Sequence, residues 1–314
     1  LNGKSQLVQT INSDLDITSS GSIERDQQGS KNIYNYNYWS SPVGAINNTS
    51  NNNPFTIAGV MKDGTTATPQ NINWTYGLDG SPTSPITVSS YWIYKFQNLS
   101  NAYANWQSVG STGTLNAAQG FTMKGSGTST SNQNYTFVGK PNNGTITTTV
   151  AGGNLNLCGN PYASAIDANA FISANTSAIT GTLYFWEHPS SNATHNIQGY
   201  QGGYSSRNLT GGTGPVAPAD INGLGTSAKT PGRFIPVSQG FFVVATPAGG
   251  TITFDNSQRA FIKEDNVDST TLFKTNTSII TSPNNNEQYN NNSEDSYTED
   301  SYKRVRLGIT STDN

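Results

Sequence analysis

One phrase of this chain occurs twice, and that repeat limits the fold more than any other feature. Ala118-Gln119-Gly120-Phe121-Thr122-Met123-Lys124-Gly125 is matched by Ser238-Gln239-Gly240-Phe241-Phe242-Val243-Val244-Ala245, with Gln119 and Gln239 120 positions apart. Upstream, Trp39-Ser40-Ser41-Pro42 has a counterpart in Cys158-Gly159-Asn160-Pro161, with the prolines 119 positions apart. An aromatic run lies between these anchors in each copy: Tyr91-Trp92-Ile93-Tyr94-Lys95-Phe96 and Leu183-Tyr184-Phe185-Trp186-Glu187-His188. A further run follows each Gln-Gly-Phe phrase, Tyr135–Val138 and Thr251–Phe254. Landmarks that recur in one order at nearly one period predict a single supersecondary unit used twice. The copies are placed at 30–149 and 150–262, with 1–29 as a strand segment leading into the first.

The content of each copy predicts an all-β fold: two tandem, repeated β-sandwich-like modules with few short helices. Short β-branched and aromatic runs are bounded by Gly, Pro, Asn or Ser clusters. Tyr34-Asn35-Tyr36-Asn37-Tyr38 alternates as a half-buried strand does. Ser, Thr and Asn compete with helical hydrogen bonds, and Gly costs about 1 kcal/mol in a helix interior. One helix is predicted to begin near Ser164, with Asp167 completing a capping-box pattern. Charged residues are only 11% of the chain, yet 15 tyrosines supply packing area, so the body is expected to fold rather than stay disordered. The single cysteine, Cys158, is expected to be a small buried hydrophobe.

The second copy carries an insertion at about 189–231, rich in Gly, Ser and Asn, which reads as a long loop. A linker is expected over 263–302, of low complexity from about 275, and a terminal strand over 303–314. That strand reads as the start of a further domain or as one returning to the body. The chain opens at Leu1 rather than Met, which reads as a processed piece of a longer protein.

Several stretches resemble a known group. They are Tyr36-Asn37-Tyr38-Trp39-Ser40-Ser41-Pro42-Val43-Gly44, the run from Asn154 to Asp167, and Ile235-Pro236-Val237-Ser238-Gln239-Gly240-Phe241-Phe242-Val243. Ser5-Gln6-Leu7-Val8-Gln9 and Asp26-Gln27-Gln28-Gly29 fit the same pattern. Together they are similar to phrases of large flavobacterial (Bacteroidetes) surface and secreted proteins exported by the type IX secretion system. The resemblance implies an extracellular or outer-surface address and a structural, adhesin-like or gliding-associated role. It implies surface glycans or other proteins of the cell surface and secretion machinery as partners. Such proteins usually end in a C-terminal sorting domain, which is not expected within residues 1–314, so export by that route is an implication of the resemblance alone. Asp268-Ser269-Thr270 also resembles the short O-glycosylation motif of that phylum, although an ordinary turn is the plainer reading.

Chemistry is sparsely encoded. Net charge is −3, with Lys303-Arg304-Val305-Arg306 the one short basic cluster, so nucleic acid is not an expected partner. No apolar run approaches the ~18–20 residues of a membrane span. Between residues 27 and 259 the acids are Asp63, Asp79, Asp167, Glu187, Asp220 and Asp255. Glu187 and Asp255 are the one pair weighed for a glycosidase-type role, against the plainer reading that each faces solvent. His188 and His195 are read as surface histidines, since three ligands at recognisable spacing are missing and no His-Glu-x-x-His occurs. No Gly-x-Ser-x-Gly supports a serine hydrolase, and Gly211–Gly214 lacks the Lys and helix of a phosphate loop. No catalytic residue, metal or cofactor is expected, and the chain is read as a non-enzyme. Aromatic rings remain as candidate sugar platforms: Trp74-Thr75-Tyr76, Tyr103 with Trp106, and Tyr200 with Tyr204. The ligand-binding set is Tyr200, Tyr204, Trp186 and Trp106. The expected function is a secreted or surface adhesive protein, with a carbohydrate-binding module pair as the alternative.

Overall fold

The computed structural model describes residues 1, 5–129, 131–264 and 271–275, all within one compact unit, Leu1–Ser278. The linker from about 276, the terminal strand 303–314 and Asp268-Ser269-Thr270 lie outside the described residues. The protein is all-β. Its helices are short, with Ile57–Val60 and Ala168–Ala174 the α-helical ones among the described residues.

Each Gln-Gly-Phe phrase lies on a strand with an antiparallel partner. In the first half, strand Phe121–Met123 runs antiparallel to Asn37–Trp39, with Phe121 opposite Trp39. In the second, Gly240–Ala245 runs antiparallel to Leu155–Gly159, with Phe241 opposite Cys158. Leu115 pairs with Phe55 in one half, and Ile235 pairs with Ile166 in the other. The next residue in each half, Thr56 or Asp167, caps the following helix with its side chain. The residue before each Gln-Gly-Phe has a left-handed backbone, at φ 68 for Ala118 and φ 60 for Ser238. A non-glycine residue there is strained and persists only where its surroundings hold it.

The halves also interlock. Ser40 N–H donates to Ser238 O at 2.9 Å, and Gly159 N–H donates to Ala118 O at 3.1 Å. Trp39 bridges Gln239, and Gln119 bridges Cys158. The backbones approach so closely that a Cβ on Gly240 would sit 2.9 Å from Trp39 N. One on Gly120 would sit 2.6 Å from Cys158 O. Glycine is required at both positions by proximity rather than by φ.

Three apolar clusters result. One is built from first-half side chains around Trp39, Phe55, Phe121 and Phe137. Another is built mainly from second-half side chains around Phe171, Phe185, Phe241 and Phe254. The third gathers Tyr38, Phe96, Leu157, Trp186, Tyr200 and Phe242 from both halves. It lies along a six-stranded sheet ordered Gln97–Leu99, Leu155–Gly159, Gly240–Ala245, Ile179–Glu187, Gly203–Asn208, Gly211–Val216. The first half thus contributes an edge strand to the second half's sheet. Cys158 is fully buried, and burial pushes its thiol up to about 12, so it acts as an apolar filler.

Three local expectations are corrected. The 189–231 insertion is not an open loop: Gly203–Asn208 and Gly211–Val216 extend the sheet as a hairpin. The helix starts after Asp167, not at Ser164, because Ala165–Asp167 is held as a strand by Ile235 and Arg259. Tyr34–Tyr38 is strand only from Asn37. Asn35 and Asn37 are buried instead, next to Ser30 and Asn192, so both faces of the run are covered.

Segments without regular structure are tied down by buried cations. Lys140 Nζ donates to Ile17 O, Asn47 O and Ser50 O at 2.9, 2.9 and 3.0 Å. Arg259 reaches Leu7 O at 2.6 Å and Gln9 Oε1 at 3.0 Å.

Candidate functional site

The candidate site is an aromatic face centred on Lys124. Lys124 directly follows the strand Phe121–Met123, and only 1% of it is exposed. Its Nζ lies 3.7 Å from the centroid of the Trp92 ring, 4.3 Å from that of Tyr36 and 6.0 Å from that of Tyr200. Ring faces carry negative electrostatic potential and stabilise a cation that has lost its water.

A polar chain leads outward from the ammonium. Lys124 Nζ is 3.0 Å from His195 Nδ1, and His195 Nε2 is 2.6 Å from Asp79 Oδ1. An ammonium has no acceptor, so Nδ1 accepts and Nε2–H donates to the carboxylate. His195 is stacked on Trp92 at 4.8 Å between centroids and tilted against Tyr34 at 4.8 Å. Asp79 is 60% exposed at its side chain, so the chain runs from core to solvent. Burial pushes Lys124 down to about 7, and the charge of Asp79 opposes this.

Sequence-local bonds build the rim. The loop from Thr75 to Asp79 is fastened at three points: Ser90 Oγ to Thr75 O (2.8 Å), Ser89 Oγ to Gly77 O (2.5 Å) and Trp92 Nε1 to Leu78 O (2.7 Å). That loop presents exposed Tyr76 and Leu78. Tyr91 sits edge-on to Trp92 at 4.6 Å. The Tyr91, Tyr94, Tyr103 and Tyr200 hydroxyls lie close enough to Tyr36 to add to the upward push that burial gives its pKa. Tyr91 and Tyr103 are 48% and 61% exposed, and each offers a ring to solvent.

The sequence-predicted set lies behind this face rather than on it. Tyr200 and Trp186 are buried, and their rings stack on each other at 6.1 Å. Tyr200 Oη accepts from Tyr36 N–H at 2.9 Å, and Tyr204 Oη shares a 2.8 Å hydrogen bond with Tyr38 Oη. Trp106 is half-buried against Tyr38, Phe96 and Phe242. Tyr200 and Trp186, expected as sugar platforms, are thus corrected to packing groups, while half-buried Tyr204 and Trp106 meet the same cluster edge to face. Tyr76 and Tyr103, weighed from the sequence, do stand on the surface. Nothing local in sequence links Lys124 and Asp79 to His195, and only the fold brings the three together.

The remaining candidates are also relocated. Glu187 does not face solvent: it is 2% exposed and accepts from Ala228 N–H (3.1 Å) and Lys229 N–H (2.6 Å). Burial raises its pKa, and those two bonds oppose the rise. Asp255 caps Asn256–Gln258 in a capping box. His188 is not a surface group: it is buried, and burial pushes it down to about 3. Among the described residues, His, Cys, Asp and Glu form no group of three suited to a metal ion. No helix among them is long and apolar enough to cross a membrane.

A family model described as a domain of unknown function, DUF8693, matches residues 1–293. No curated protein and no solved structure matches the chain.

Proposed function

We propose, for a chain that belongs to the DUF8693 family and takes no described activity from it, a non-enzymatic adhesive role at the cell surface or in secretion, with glycans as the bound class. The observation that carries this reading is the exposure of Tyr91 and Tyr103 beside the Trp92–Lys124 cage. A sugar ring is apolar on its C–H faces and polar at its edge. Flat tyrosine rings match the faces, while their hydroxyls and Asp79 supply hydrogen bonds at the edge. The buried cage fixes the rim from beneath, so little order has to be gained on binding.

The surface address draws on the resemblance to type IX secretion substrates, and so does the adhesin or gliding-associated setting. The non-enzymatic reading draws on the acids: Glu187 and Asp255 are both committed to backbone N–H groups. A glycan array with the full chain and with the Tyr91→Ala/Tyr103→Ala double variant is the test. Both rings are exposed, so the variant is expected to fold as the wild type does. Binding is expected to drop by about tenfold or more, the usual loss when an interface aromatic is truncated. A wild-type chain that binds no glycan, or a double variant that binds equally well, overturns the reading.

A further inference from the structure

A second cluster of reactive groups lies outside the aromatic face, where segment 271–275 enters the core. Lys274 is 1% exposed, and its Nζ lies 3.4 Å from Gln239 Oε1 and 3.3 Å from Val237 O. The Trp39 ring centroid is 5.0 Å away. The Gln239 carboxamide is fully buried, and its orientation is fixed because Nε2 donates to Gly240 O at 2.9 Å and Tyr38 O at 3.4 Å. Its oxygen therefore points at the amine. A carboxylate completes the group. Glu264 accepts from Val237 N–H at 2.6 Å, from Arg25 at 3.0 Å and from Gln27 at 3.0 Å. Val237 thus joins the two, its N–H on Glu264 and its carbonyl on Lys274.

An amine in contact with a carboxamide supplies the two reactants for amide exchange, and the charge of Glu264 acts on the amine from nearby. Burial pushes Lys274 down to about 7, which leaves a large share of the nucleophilic free amine at neutral pH. The exclusion of water removes hydrolysis as a competing path. The repeat supplies a contrast: Gln119 Oε1 accepts instead from Asn116 N–H, at 2.9 Å.

We propose that Lys274 and Gln239 become joined by an intramolecular isopeptide bond. The Nζ lone pair forms a bond to Gln239 Cδ. One Nζ proton passes to the departing nitrogen. The Cδ–Nε2 bond breaks and Nε2 leaves as ammonia. No electron is gained or lost, and no co-reactant is required. The product anchors segment 271–275 to the interlock between the halves, where a surface protein under load gains from a covalent tie.

The test is the intact mass of the full chain together with its tryptic map. The expected mass is that of the sequence less one ammonia. The map is expected to show a branched peptide joining Phe234–Arg259 to Glu264–Lys303, with Lys274 left uncut. Lys274→Arg and Gln239→Glu are each expected to restore the full mass. The branched peptide is sought in the wild type, so the test stands even if a variant fails to fold. A wild-type mass equal to that of the sequence, or an ammonia loss mapped elsewhere, overturns the proposal.

Discussion

Replacing Lys124 by Met should abolish one component of the pH dependence of stability. Methionine keeps an unbranched stem in the cage of Tyr36, Trp92 and Tyr200 but carries no charge. In the wild type, the native Lys124 releases its proton near pH 7, whereas the unfolded chain holds it to about 10.4. Between those values the unfolded state binds more protons, so stability rises with pH. The slope for one group is about 1.4 kcal/mol per pH unit, which accumulates to on the order of 4 kcal/mol between pH 7 and pH 10. Below pH 7 both states hold the proton and the component is flat. Above pH 10 buried tyrosines reverse the trend: burial raises their pKa values, so the unfolded state ionises first. Lys229, pushed down to about 8 by burial, contributes equally to both proteins and cancels in the comparison. Urea unfolding of the wild type and Lys124→Met at half-unit steps reads the difference directly. The wild-type midpoint is expected to climb relative to the variant by about 1 M or more, given slopes of roughly 1–3 kcal/mol/M. Parallel profiles from pH 7 to pH 10 would refute the claim that the ammonium is held dehydrated.

Two further outcomes follow from the geometry. Gly240→Ala and Gly120→Ala each drive a Cβ into rigid backbone of the other half, so each should destabilise by about 1–3 kcal/mol in thermal or urea unfolding. In acid, the native His188 resists protonation down to about 3 while the unfolded side chain protonates near 6.5. Stability should therefore fall as pH drops through that window, and His188→Gln should flatten the fall.

The fold was legible where periodicity is local. The Gln-Gly-Phe strands and the scarcity of helix follow from β-branched and aromatic runs between turn residues, whereas their pairing with Trp39 and Cys158 is set by contacts distant in sequence. The site was less legible, for two physical reasons. A Gly-rich stretch reads as a loop, yet Gly202 and Gly203 are small because Trp186 and Val216 lie against them. Their closeness brings Tyr204 onto the sheet. The exposed rings lie in short loops whose positions are set by side-chain bonds to distant carbonyls, such as Trp92 to Leu78. The buried polar groups, Glu187, His188 and Lys124, are partnered across 41, 151 and 71 residues respectively. Composition assigns such groups to solvent, because charged residues are rarely buried without a partner, and the partner is invisible in a linear reading.

Lys140 has a consequence for the medium in which such a protein works. Three backbone carbonyls from the 17 and 47–50 regions converge on its Nζ. Many extracellular modules fill a carbonyl cluster of that kind with calcium, which the surroundings lend and a chelator removes. Here the cation is covalently part of the strand Asn132–Pro141. The loops it gathers are held by the chain's own cation, so their order does not depend on a bound divalent ion.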